Sequence, residues 1–113
     1  MAIHLLGAGP GPADLLTLRA SRVLASCDVV LAPLAEVDPE VLAHCRADVV
    51  VLDAGQLEFE QVVQVLLAAH EMGHALARVV PGRGAPEGRL ADEVAALDAA
   101  GVPWELTPGV SLG

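Results

Sequence analysis

Glycines at alternate positions make the first candidate for chemistry: Gly7-Ala8-Gly9-Pro10-Gly11-Pro12 follows the apolar run Ala2 to Leu6. Without a Cβ, such a turn bends sharply and lets a ligand approach the backbone at the carboxyl end of a strand, where open parallel sheets place their ligands. A dinucleotide does not suit it. The third glycine of GxGxxG falls at Pro12, Pro10 interrupts the loop, and the next apolar run, Val29-Val30-Leu31-Ala32, ends without the acidic residue that would hold a ribose hydroxyl. A second candidate is His70-Glu71-Met72-Gly73-His74, which spells HExxH. That pattern holds zinc when both histidines lie on one face of a continuous helix, with the glutamate as base. Gly73 breaks the continuity, because glycine commonly follows the last turn of a helix. His70 is therefore expected as a partly buried helix-end residue and His74 as an exposed one. No metal is expected, and a zinc hydrolase is kept as an alternative.

The remaining reactive side chains form no constellation. Cys27 and Cys45 have no CxxC spacing and read as small buried hydrophobes rather than as a disulfide or redox pair. Arg78 and Arg83 sit near the carboxyl end of a strand-like run and could draw carboxylates. A solvated or internally paired arginine is the simpler expectation. His4 and His44 read as structural histidines, and no catalytic acid or base stands out.

The elements that must position these residues alternate short apolar runs with longer stretches of helical period, the pattern of a parallel sheet with crossover helices. Strands are expected at Ala2–Leu6, Val29–Ala32, Val49–Leu52, Ala75–Val80 and Trp104–Thr107. The third, unbroken and β-branched, reads as a buried strand. A helix is expected from Asp14, with Leu16, Ala20, Val23 and Leu24 on one face, and a short one over Pro39–Cys45. The clearest helix runs from Glu58 to Met72 with Phe59, Val62, Val63, Leu66 and His70 in one stripe, and the last from Glu87 to Ala100 with Leu90, Val94 and Leu97 inward. Gly7–Ala13, Pro33–Asp38 and Pro81–Pro86 are the loops. The fold class is α/β, a single domain whose five-stranded, mainly parallel sheet carries helices on both faces.

Composition narrows the partners. The 113 residues carry a formal net charge of -9, and all six basic residues are arginine. Nucleic acid is an unsuitable partner, because affinity for a phosphate backbone comes from clustered basic side chains. Phe59 and Trp104 are the only aromatic residues, too few to stack bases. No stretch approaches the roughly 18 apolar residues of a membrane span, and the start MAIHLLGAGPG lacks a basic leader, so a cytoplasmic protein without membrane partners is expected. Hydrophobic residues reach 54%, above the roughly 45–50% of soluble domains, which leaves apolar surface for a second copy of the chain or for a missing domain.

Three segments together resemble one family. GAGPG followed by DLLTLRASRVLASCDVVLA is similar to the opening of the tetrapyrrole (corrin/porphyrin) methylases. DAGQLEFEQVVQVLLAAHEMGHALARVV resembles the middle region of the branch that methylates C11 of precorrin-4, and LDAAGVPWELTPGVS resembles the stretch with which the family's first domain closes. The resemblance implies a two-domain α/β fold with a trough between the domains, S-adenosylmethionine as cofactor and a tetrapyrrole of cobalamin synthesis as substrate. By the same resemblance residues 1–113 are the N-terminal domain, with the C-terminal domain absent. Gly7, Gly9 and Gly11 would line the substrate trough, and Pro10, Gly82, Arg83, Gly84 and Ser111 would contact the cofactor. The loop after the fourth strand departs from the family's SGDP, with Arg83 where that pattern has Asp and Gly84 where it has Pro. An arginine beside a cationic sulfonium is the opposite electrostatic choice to an aspartate. The chain alone is accordingly expected to bind S-adenosylmethionine weakly or not at all, as an incomplete or inactive methyltransferase. A non-catalytic remnant or assembly partner is the other class the sequence leaves open, and a homodimer is the expected assembly.

Overall fold

The computed structural model describes residues 3–8, 17–35, 37, 39–81 and 87–108. Five strands form one sheet: β1 Ile3–Ala8, β2 Val29–Ala32, β3 Val50–Asp53, β4 Leu76–Pro81 and β5 Trp104–Pro108. Their spatial order is β3-β2-β4-β1-β5, and all four pairings are parallel. Helices α1 Leu18–Ser26, α2 Pro39–Leu42, α3 Phe59–Glu71 and α4 Glu87–Ala99 connect them. Right-handed crossovers then decide which face each helix covers. The chain steps from β1 to β2 to β3 in one direction, so α1 and α2 share a face. It turns back from β3 to β4 to β5, so α3 and α4 cover the other.

Alternation along the strands separates two cores accordingly. Leu6, Val30, Ala32, Ala77 and Val79 pack with Ala20 and Leu24 of α1 and Val41 of α2. Ile3, Leu5, Leu31 and Leu76 pack with Val62, Leu66 and Ala69 of α3 and Leu97 of α4. Helices α3 and α4 end alike. Gly73 and Gly101 adopt φ of +75° and +73°, the His74 N–H reaches back to the Ala69 carbonyl at 2.9 Å, and the Val102 N–H to that of Leu97 at 2.9 Å. Both are the left-handed glycine stop that satisfies the last orphan carbonyls of a helix.

Several expected boundaries move, each for a local reason. Strand β1 continues through Gly7 and Ala8, since β4 pairs with both and β5 with Gly7. Helix α1 begins after Thr17 rather than at Asp14, because the Thr17 hydroxyl caps the Ala20 N–H at 3.1 Å from extended backbone. Asp14 and Leu16 lie outside the described residues. Helix α2 stops at Leu42, and the chain to Cys45 tightens into bonds three residues apart, such as Cys45 N–H to the Leu42 carbonyl at 3.0 Å. The run at β3 is not a buried strand. It is an edge, with Val50 53% and Val51 38% exposed. An unbroken apolar run cannot distinguish the two cases, because the strand order is set by the crossovers. In α3 the buried line is Val62, Leu66 and Ala69, with Phe59, Val63 and His70 half-buried beside it.

Candidate functional site

The carboxyl ends of β1 and β4 lie side by side. Gly7 stands beside Val80 and Ala8 beside Pro81, so residues 9 and 82, next in the chain, leave the same rim from adjacent strands. The helices that follow lie on opposite faces of the sheet, α1 in one core and α4 in the other. That divergence marks a topological switch point between β1 and β4, the place where open α/β sheets bind ligands. The glycine-bearing turns singled out in the sequence thus start next to each other. Of the residues expected to bind substrate or cofactor, Gly7 alone is described; Gly9, Pro10, Gly11, Gly82, Arg83, Gly84 and Ser111 lie outside the described residues. Gly7 is half-buried, and a Cβ built on it would meet no atom of the described residues within 4 Å.

Two carboxylates near this rim were not anticipated. Asp53 ends β3, and its Oδ1 accepts the Leu34 N–H at 3.1 Å and the Gly55 N–H at 2.9 Å. One oxygen thereby ties the loop after β2 to the loop after β3. The signal was available, an acidic residue closing an apolar run two positions before a glycine. Glu93 of α4 is fully buried and Arg78 of β4 only 6% exposed. Arg78 Nε donates to Glu93 Oε1 at 2.9 Å, Nη2 to Oε2 at 3.2 Å, and Nη1 to the Val79 carbonyl at 3.0 Å. Arg78 is thus internally paired rather than available to a tetrapyrrole carboxylate. Glu93 precedes Leu97 by four residues, which puts both on the inward face of α4.

The other candidates resolve locally. Helix α3 ends at Glu71, and the Gly73 turn carries His74 off the helix, so the two histidines of HEMGH do not share a helical face. His74 is half-buried rather than exposed. The His70 Nδ1 atom is buried and meets no hydrogen-bond partner among the described residues, and among those residues no three His, Cys, Asp or Glu side chains group as metal ligands. Cys27 is buried and Cys45 half-buried, both as free thiols. Burial pushes the Cys27 thiol up to about 11 and raises Cys45 as well, which disfavours the reactive thiolate. His44 Nδ1 lies 3.0 Å from the Ser21 hydroxyl. His4 Nδ1 approaches Glu105 at 3.4 Å across the β1–β5 pair, too poorly aligned for a hydrogen bond. At the opposite rim Asp28 bonds the Arg46 guanidinium and accepts the Ala75 N–H at 2.9 Å. The Ala75 N–H, followed by Arg46, holds the Asp28 carboxyl below the usual range. This amino-end cluster clips strands together and lies far from the carboxyl rim.

An open, parallel five-stranded sheet with helices on both faces defines the class: a doubly wound α/β protein, of the kind whose ligands bind at the carboxyl rim of the sheet. The chain belongs to the Tetrapyrrole (Corrin/Porphyrin) Methylases, whose family pattern it matches over residues 2–113. It is 36% identical over 110 residues to the precorrin-4 C(11)-methyltransferase of Rhodococcus erythropolis, covering 97% of this chain and 44% of that protein. Its fold superposes on the crystal structure of cobalt precorrin-4 methyltransferase, CbiF, with a TM-score of 0.87 at 30% identity, covering 97% of this chain and 46% of that one. The uroporphyrin-III C-methyltransferase of Thermus thermophilus, solved with S-adenosyl homocysteine, matches with a TM-score of 0.73 at 35% identity over 98% of this chain and 46% of that one. The chain thus spans less than half the length of these relatives. Among the described residues no helix is long and apolar enough to cross a membrane.

Proposed function

We propose that this rim is half of the cleft of an S-adenosylmethionine-dependent methyltransferase acting on a tetrapyrrole of cobalamin synthesis, with C11 of precorrin-4 as the favoured position. The observation that supports the reading is the juxtaposition of Ala8 and Pro81, the neighbouring strand ends from which the two glycine-bearing segments of the sequence follow. The names of the relatives point to the same chemistry, and one solved neighbour holds the demethylated cofactor. The precorrin-4 branch is preferred because the resemblance extends through the DAGQLEFEQ to ARVV segment.

In this reading residues 1–113 act as the N-terminal domain, and a second domain supplies the opposite wall. The bound cofactor would supply an activated methyl group. The chain itself contributes alignment, the main requirement of a methyl transfer. Gly7 would face the macrocycle at the strand end, where its lack of a side chain permits close approach, and Asp53 holds the Leu34 backbone at the rim. The residues expected to touch the cofactor are Pro10, Gly82, Arg83, Gly84 and Ser111, and those expected to face the tetrapyrrole are Gly7, Gly9 and Gly11.

Calorimetric titration of S-adenosylhomocysteine into this chain, and into the chain joined to a methylase C-terminal domain, tests the proposal. Weak or absent binding by the first and clear binding by the second is the expected result; no binding by either rejects it. A non-catalytic assembly role is favoured by one separate observation, the exposed apolar side chains Val50 and Val51 on one sheet edge and Leu106, 64% exposed, on the other. Light scattering that finds a strict monomer removes it.

A further inference from the structure

Strands β2 and β4 stay in register from Val29 beside Leu76 to Leu31 beside Arg78. Strand β4 remains paired with β1 further, as far as Pro81 beside Ala8. The sheet therefore splits below its rim on the β2 side of β4, and the sequence supplies a reason. The Ala75 carbonyl points toward β2, where it accepts the Val29 N–H at 3.2 Å. Carbonyls two residues apart on a strand share a side, so those of Ala77 and Val79 point the same way. Continuing the parallel register assigns the Val79 carbonyl to the N–H of residue 33. That residue is Pro33, which has no N–H to give.

A side chain makes the missing bond. Arg78 Nη1 donates to the Val79 carbonyl at 3.0 Å, while the other two donors of the same fork engage both oxygens of Glu93 at 2.9 and 3.2 Å. Buried ion pairs are weak contributors to stability, because apolar side chains of similar volume serve as well. This pair sits on the central strand of the sheet, beneath the rim where β4 ends at Pro81.

We infer that Arg78 is a positioning residue of the rim: its guanidinium replaces the ladder donor that Pro33 lacks, and Glu93 locks it, so that β4 from Val79 to Pro81 keeps its register with β1 after β2 has parted. The consequence for binding rests on the proposed cleft; the local role rests on the geometry alone.

Amide hydrogen exchange on the 113-residue chain reads the local role directly. The double variant R78M/E93L removes both members of the ion pair together rather than leaving either one behind. In it the Val79 and Val80 amides should exchange about tenfold faster, with Leu76 and Ala77 unchanged. Adding P33A restores a backbone donor opposite Val79 and should bring those rates back to within about twofold of the parent. R78K keeps a cation for Glu93 but loses the fork, and it should show the same localised acceleration if the double variant fails to fold. Unchanged exchange at Val79 and Val80 in a folded R78M/E93L or in R78K, or no rescue by P33A, overturns the inference. S-adenosylhomocysteine affinity, measured on the chain joined to a C-terminal domain, should fall about tenfold in R78K. Parent-like affinity there overturns the link to the cleft. If the parent itself binds nothing, the proposed function fails while the exchange rates still decide the role of Arg78.

Discussion

Gly7 and Asp28 show how differently single residues serve the two rims. A methyl group at Gly7 meets none of the described residues within 4 Å and requires no left-handed backbone, so Gly7→Ala should leave the melting temperature unchanged. The same methyl intrudes on the space assigned to the macrocycle, so affinity for a tetrapyrrole should fall severalfold in the protein joined to its second domain. Loss of stability with affinity intact would mean that Gly7 is structural. Asp28 lies at the amino rim, where the Ala75 N–H and Arg46 lower its carboxyl pKa. A depressed folded-state pKa adds stability above the unfolded value of about 4, and that contribution is lost as pH falls through the folded value. Thermal melts from neutral pH downward should therefore show an acid decline that Asp28→Asn flattens. A decline of equal steepness in the variant assigns the effect to other carboxylates.

Among the elements, the glycine stops of α3 and α4 are the most directly testable. Gly73 has space around its Cβ position but a φ of +75°, so Gly73→Ala strains the backbone without a clash and should cost about 1 kcal/mol. Denaturant titration measures it, and a neutral substitution would show that the turn relaxes. This stop was legible in the sequence, as was the end of α4 at Gly101, because glycine after an apolar-periodic run marks a helix end. The start of α1 was not. Asp14 and Thr17 both suit a helix beginning, and only the Thr17 hydroxyl bond to the Ala20 N–H decides between them. Glu93 escaped notice for the same kind of reason. A glutamate on a helix reads as solvent-facing until the strand beneath it proves to carry Arg78.

For the molecule as a whole, the sheet separates two cores and leaves β3 as an edge. Leu66 is fully buried between α3 and the sheet, so Leu66→Ala should cost about 2–5 kcal/mol. Val50, more than half exposed on β3, should accept threonine at under about 0.5 kcal/mol. Chemical denaturation of both variants checks the contrast, and a large loss at Val50 would place β3 in an interface with another chain. The acidic balance of -9 favours solubility and disfavours polyanionic partners.

The sequence by itself determined the class and most of the elements, since apolar period, glycine stops and the run of family-like segments are local properties that each stretch carries alone. It also marked Gly7 to Gly11 and Gly82 to Gly84 as glycine-bearing segments, of which only Gly7, at the end of β1, lies among the described residues. Only the tertiary structure decided that β1 and β4 are neighbours, that β3 is an edge, that Asp53 ties two rim loops and that Arg78 faces Glu93. Strand order follows from the direction and hand of each crossover, and ion pairing follows from strand order; neither is encoded in the spacing of residues along the chain.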